Sequence, residues 1–191
     1  TFDVIIDTSH QVYIWLVLEG IVHDFQFNAG QPSKNLLSTF HKMLMEKNVL
    51  MSDIRNFYFC KGPGSYTGLR ISQGFEEYLK FNNFETYDFY SFEILKNLDE
   101  LYLFVTNAFK NEYFLAEKKN NEILHRKIKK EDLLKIKGER KIVSYDDKLK
   151  DLDYIESFNK NFESFFSETI SQKNIKEVFY YRSLSQEYKK L

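Results

Sequence analysis

The stretch Lys61-Gly62-Pro63-Gly64-Ser65-Tyr66-Thr67-Gly68-Leu69-Arg70-Ile71 constrains the chain more tightly than any other. The residues ahead of it, Phe57-Tyr58-Phe59-Cys60, are aromatic-rich and read as a buried strand. Behind it, Ile71, Phe75, Tyr78 and Leu79 recur at helical spacing. The stretch is therefore a strand-to-helix turn. Gly62 and Gly64 can take backbone angles closed to other residues, and Pro63 stiffens the bend between them. Ser65 or Thr67 is placed to cap the helix by accepting from a free backbone N–H. Such a turn aims unpaired N–H groups in one direction at the positive end of a helix dipole. It either cradles an anion or docks against another backbone. No Gly-Lys-Ser/Thr follows, so it is not a Walker A loop, and the glycines do not fall as G-x-G-x-x-G.

The turn sits in an alternating α/β pattern. Val4-Ile5-Ile6 reads as a short strand and Asp7-Thr8-Ser9-His10 as a turn whose side chains bond their own backbone. Two apolar runs, residues 12–18 and 21–27, are split by Glu19-Gly20, a hairpin signal. Ser33 is the expected cap of a helix over residues 33–47, with Leu36, Leu37, Phe40, Met43 and Leu44 as its apolar stripe. A strand at residues 56–60, the helix from Thr67 to about residue 80, a strand at 85–90 and a short helix at 91–95 complete a first lobe, residues 1–97. In the remainder, residues 98–191, strands are expected at 101–105, 112–116, 123–128 and 141–144, with helices at 130–137 and 159–171. Phe162, Phe165, Phe166 and Ile170 share one side of the last helix, and residues from 185 onward read as a frayed polar end.

Composition removes several classes of function. A net charge of −1 over 191 residues excludes a general nucleic-acid binder, so any tRNA contact must be local or shared with a partner. A lone Cys60 forms no internal disulfide and no thiol metal cluster, which fits a reducing cytoplasm. No apolar run approaches the ~20 residues of a membrane span. The strand-like start without a basic leader sets the expectation of no signal peptide, and the missing initiator Met that of a processed chain. His10, His23, His41 and His125 form no H-x-x-x-H pair, and there is no G-x-S-x-G elbow, so neither a metal hydrolase nor a serine hydrolase is indicated. Cys60 reads as a buried strand residue.

Residues 62–71, Gly-Pro-Gly-Ser-Tyr-Thr-Gly-Leu-Arg-Ile, closely resemble the signature of the TsaB (YeaZ) family, bacterial proteins needed to make threonylcarbamoyladenosine in tRNA. Ile6-Asp7-Thr8-Ser9 resembles the family's opening I-D-T-S/T, and Tyr180-Tyr181-Arg182 its closing Y-L-R. The segment from Asn107 to Tyr113 resembles D-A-R-x-G-E-V-Y, with Asn107, Phe109 and Asn111 in place of Asp, Arg and Gly. The resemblance covers the first lobe well and the second poorly. It implies an actin-like ATPase (ASKHA, ribonuclease H-like) fold of two lobes, the second reduced. It implies a non-catalytic paralogue and scaffold of TsaD in the cytoplasm, forming a heterodimer with it, with TsaE as a further partner and tRNA met indirectly. A homodimeric binding module using the same helices is a separate reading for the chain alone. Thr106-Asn107-Ala108-Phe109 offers no second acidic or glycine-rich phosphate loop, so no intrinsic cofactor is expected, with ATP or ADP shared at the partner interface.

Three groups of residues are candidate sites, each with a plain structural alternative. Asp7 and Thr8 suit the phosphate-facing turn of an actin-like ATPase, or a polar turn after a strand. Gly62, Gly64, Ser65, Thr67, Gly68 and Arg70 suit an anion or nucleotide contact, or a turn that fixes where a helix begins. Arg70 in a first helical turn opposes the dipole, so a carboxylate or phosphate is expected to face it. Leu36, Leu37, Phe40, Met43 and Leu44, with Ile71, Phe75, Tyr78 and Leu79, form stripes that face either a partner or their own sheet. Gly74 inside the second helix costs up to ~1 kcal/mol relative to alanine, so the space it leaves has a use. Residues 118–150 hold twelve Lys/Arg against six Asp/Glu, either a patch for tRNA phosphates or a solvated surface. A stand-alone nucleotide-dependent enzyme, an ATPase or carbamoyl-type transferase using Asp7 and residues 62–70, is the alternative function.

Overall fold

The computed structural model describes residues 1–108, 111–144, 149 and 160–180. Phe109, Lys110, Tyr181, Arg182 and the side chain of Phe162, all named above, lie outside the described residues. The chain divides into two compact units, Thr1–Ser91 with Phe166–Leu191, and Phe92–Phe165. The division thus falls after Ser91 rather than after residue 97, and the segment from Phe166, expected in the second lobe, belongs to the first.

In the first unit β1 (Phe2–Asp7), β2 (Val12–Leu18) and β3 (Ile21–Asn28) form an antiparallel meander. Its hairpin turns at Glu19 and Gly20, with φ of 53° and 81°, the left-handed pair that matches strand twist. Helix α1 (Pro32–Lys47) crosses to β4 (Ile54–Cys60), and α2 (Tyr66–Phe81) crosses to β5 (Glu85–Phe89). Both returning strands run parallel, giving a five-stranded sheet in the order β3-β2-β1-β4-β5. Ser33 is not the cap of α1: Gln31 holds the extended capping position without a side-chain bond, and Pro32 opens the helix. The proline ring sets the helical φ and lacks the N–H that a cap would have satisfied.

One face of this sheet, with Val4, Ile6, Ile14, Phe57 and Phe59, packs on α1 and α2. The inward residues of the helices are Leu36, Phe40, Met43 and Leu44 on α1 and Phe75 and Leu79 on α2. These six were expected to meet a partner. They are core instead, because the apolar stripe covers the sheet that the same chain supplies. Phe75 sits among rings, 5.5 Å from Phe40 and 6.2 Å from Phe59 between centroids. On the opposite face Trp15 stacks beside Tyr13 and lies 4.8 Å from Phe166 of α4 (Lys160–Gln172).

The second unit repeats the order of the first five of these elements, strand-strand-strand-helix-strand. Strands β6 (Tyr102–Asn107), β7 (Glu112–Lys119) and β8 (Glu122–Lys129) make an antiparallel meander. Helix α3 (Lys130–Lys137) then leads to β9 (Lys141–Val143), which pairs parallel with β6. The sheet order β8-β7-β6-β9 matches β3-β2-β1-β4 of the first unit. Its core is Leu103, Val105, Leu115, Ile128, Leu133 and Ile142.

Candidate functional site

Of the four segments that carried the resemblance, residues 6–9, residues 62–71 and Tyr180 of the closing one meet at one place in the first unit. Strand β1 ends at Asp7, whose Oδ1 accepts the Ser9 N–H at 2.6 Å, closing the turn. Asp7 is fully buried, and burial raises its carboxyl pKa above the ordinary value against the bonds from Ser9. Thr8 donates through Oγ1 to the carbonyl of Gly68 at 2.7 Å, and the Ser65 N–H donates to the carbonyl of Ser9 at 2.8 Å. The glycines permit this approach. A Cβ on Gly64 would lie 2.4 Å from Ser9 Cβ, and one on Gly68 would lie 2.0 Å from the Thr8 oxygen. Gly62 takes a φ of 112°, and a Cβ there would lie 2.4 Å from the Phe179 oxygen. The Phe179 N–H donates to the carbonyl of Lys61 at 2.7 Å, and Tyr180 bridges to Gly64.

This arrangement uses three of the N–H groups that could have held an anion. The Gly62 N–H points to Cys60 Sγ at 3.4 Å, that of Ser65 to Ser9, and that of Gly68 to the Ser65 hydroxyl at 3.1 Å. Ser65 is therefore the helix cap, and Thr67 is exposed in the first turn. Asp7, Thr8, Gly62, Gly64 and Gly68 are buried, so the turn joins three segments of its own chain. Arg70 is exposed; its Nε lies 3.4 Å from the Tyr66 hydroxyl and its Nη1 3.2 Å from Gln73 Oε1. The Cys60 thiol is buried and its pKa pushed well up by that burial, the opposite of an activated nucleophile. Among the described residues no three His, Cys, Asp or Glu side chains gather to hold a metal, and no helix is long and apolar enough to cross a membrane.

Sequence reasoning missed a buried charge cluster below the turn. Lys61 runs inward to Glu76 of α2 and lies 3.2 Å from Asp88 Oδ1 of β5, an ion-pair contact outside hydrogen-bonding geometry. Glu76 also meets Lys80 at 2.7 Å and accepts from Thr86 Oγ1 at 3.3 Å. Burial raises the Asp88 carboxyl pKa, opposed by the Lys176 N–H and the Lys61 charge. The one local signal was Glu76 and Lys80 four residues apart on a helix.

The outer face of α1 and α2 is a different kind of surface. A groove of about 700 Å³ runs between the helices, lined by Pro32, Leu37, Met51, Ile71, Gly74 and Tyr78 among others. Leu37 is 63% exposed and Tyr78 60% exposed, while Ile71 is partly buried against the core. A Cβ on Gly74 would meet nothing within 4 Å, so this chain gives no steric reason for a glycine there. Of the nine residues expected to face a partner, Leu37 and Tyr78 are the exposed ones.

Two units, each a meander followed by a helix and a returning parallel strand, define an α/β protein of the actin-like ATPase fold. Among solved structures the chain is similar to YeaZ from Pseudomonas aeruginosa, at a TM-score of 0.54 and 19% identity, covering 67% of this chain and 66% of that one. It is likewise similar to an uncharacterized protein with similarity to peptidase YeaZ from the same organism, at a TM-score of 0.53 and 19% identity over 68% of this chain and 67% of that one. The chain thus spans about two thirds of the length of each. No protein-family model matches the chain, and no curated protein matches it.

Proposed function

We propose that the chain is a TsaB-type protein, a non-catalytic scaffold that pairs with TsaD through the α1–α2 groove. In this reading TsaD transfers the threonylcarbamoyl group from its adenylate to the adenosine beside the tRNA anticodon. TsaE is a further member of the assembly, tRNA is met through the partner, and ATP or ADP binds at the shared interface rather than in this chain alone. The work is done in the cytoplasm. The observation that carries the reading is the groove, where Leu37 and Tyr78 stand exposed beside the open Gly74. An apolar face beside a glycine lets a second helix come close, and tyrosine is a common anchor of interfaces. The burial of Asp7 and Thr8 speaks against a solitary nucleotide enzyme. Such an enzyme would also hydrolyse ATP in the purified chain and lose that turnover in Asp7→Ala.

Two substitutions test the groove. Tyr78→Asp is expected to weaken pairing by at least about tenfold with the melting temperature little changed, since the side chain is exposed. Gly74→Ala is expected to stabilise the isolated chain by up to about 1 kcal/mol, and yet to weaken pairing. Calorimetry of the free protein and titration against TsaD read the two effects separately. Pairing that strengthens along with stability would exclude a close helix approach at Gly74.

A further inference from the structure

We propose that the first unit carries a track for unpaired nucleic acid along residues 173–180, the strap that follows α4. The strap is fixed to the sheet edge and the glycine turn by its backbone. The Asp88 N–H donates to the Asn174 carbonyl at 2.7 Å, and the Lys176 N–H donates to Asp88 Oδ2 at 2.9 Å. The Tyr90 hydroxyl donates to the Glu177 carbonyl at 2.8 Å, the Phe179 N–H donates to Lys61, and Tyr180 bridges to Gly64. Aromatic rings and cations alternate along this fixed line. Lys173 Nζ lies 5.0 Å from the centre of the Tyr87 ring, and Lys176 Nζ 5.2 Å from that of Tyr90. Tyr90 meets Phe179 edge-on at 6.1 Å. Beyond the turn, Tyr180 and Tyr66 lie 5.2 Å apart, with the Arg70 guanidinium 5.5 Å from the Tyr66 ring.

A ring with a flexible ammonium over its face is a site that a nucleobase can enter. The base takes the ring face by stacking, and the displaced cation moves onto the adjoining phosphate. Rings and cations gathered from the strap, β5 and α2 suit a single strand, whose bases are unstacked and reachable; the paired bases of a duplex are not. The exposed carboxylate on the strap is Glu177, and Glu85 lies beside Tyr87; the Asp88 charge is turned inward against Lys61. The track is separate from the α1–α2 groove, so it stands whether or not the chain pairs with TsaD.

The test is fluorescence anisotropy at low salt with a fluorescein-labelled oligouridylate of about twelve nucleotides, beside oligodeoxythymidylate and duplex RNA of the same length. The wild-type chain is expected to bind the single strands better than the duplex; preference for the ribose strand or equal binding of both single strands supports the track equally. Tyr87→Leu and Tyr66→Leu are each expected to weaken binding about tenfold. The double substitution Lys173→Gln with Lys176→Gln is expected to lower the salt slope by about 1.4, two phosphate contacts' worth for a single strand. Lys173 is exposed and Lys176 half-buried, and neither belongs to the hydrophobic core, so that variant decides the matter even if a tyrosine variant folds poorly. Absence of wild-type binding, a preference for duplex, or a lysine variant with unchanged affinity and salt slope overturns the proposal.

Discussion

Gly68→Ala is expected to destabilise the first unit by about 3 kcal/mol and to lower its melting temperature by about 6–12 °C. The added methyl would lie 2.0 Å from the Thr8 carbonyl oxygen. That atom belongs to the backbone of a fully buried turn, so no side chain can swing aside to make room. The helix would have to move away from β1, breaking the Thr8 Oγ1 bond to the Gly68 carbonyl and the Ser65 N–H bond to Ser9. Gly74→Ala, in the same helix but facing open space, is the control with the opposite sign. Thermal and urea unfolding of the two variants compare the same chemical change at two positions. Equal melting temperatures for both would show that α2 does not rest on the Asp7–Ser9 turn as described.

Lys61→Met is expected to cost about 3–5 kcal/mol, because it strands buried carboxylates without their cation. Glu76 keeps Lys80, but Asp88 keeps only the Lys176 N–H. The pH dependence identifies the cause. Burial already holds the Asp88 pKa above 3.8, so the folded chain binds that proton more tightly than the unfolded chain. Its charge therefore weakens the fold as pH rises from 3.8 through the raised pKa, and the penalty is lifted again on acidification. Lys61 opposes that rise. Without it the folded pKa climbs further, the window widens, and the deficit of the variant should shrink as pH falls. Unfolding curves across that range check this; a deficit constant with pH would mean that packing of the lysine stem, and not the stranded charge, sets the loss.

The elements of the fold were legible because each announced itself locally. Glu19-Gly20 marked the hairpin, the apolar periods marked α1 and α2, and Ser65 stood at the head of α2. The direction of the helix stripes was not legible. Leu36 and Leu37 are the same residue type one position apart, yet Leu36 is 2% exposed and Leu37 63%. A stripe specifies that a face is covered and not by which chain, and here most of it lies on its own sheet. The glycines were legible as positions needing room, but the groups that need it, Ser9, Thr8 and Phe179, arrive from distant parts of the sequence. The buried cluster of Lys61, Glu76 and Asp88 was hidden for the same reason, since its members sit on a turn, a helix and a strand.

The proposed pairing requires the exterior of α1 and α2 to be a docking face. Its most direct test is the mass in solution, by multi-angle light scattering, of the wild-type chain mixed with TsaD from the same cell. A one-to-one complex that dissociates in the Leu37→Asp, Tyr78→Asp double variant is the predicted result. Separate elution of the two wild-type proteins, or a complex that persists unchanged in the double variant, would contradict it.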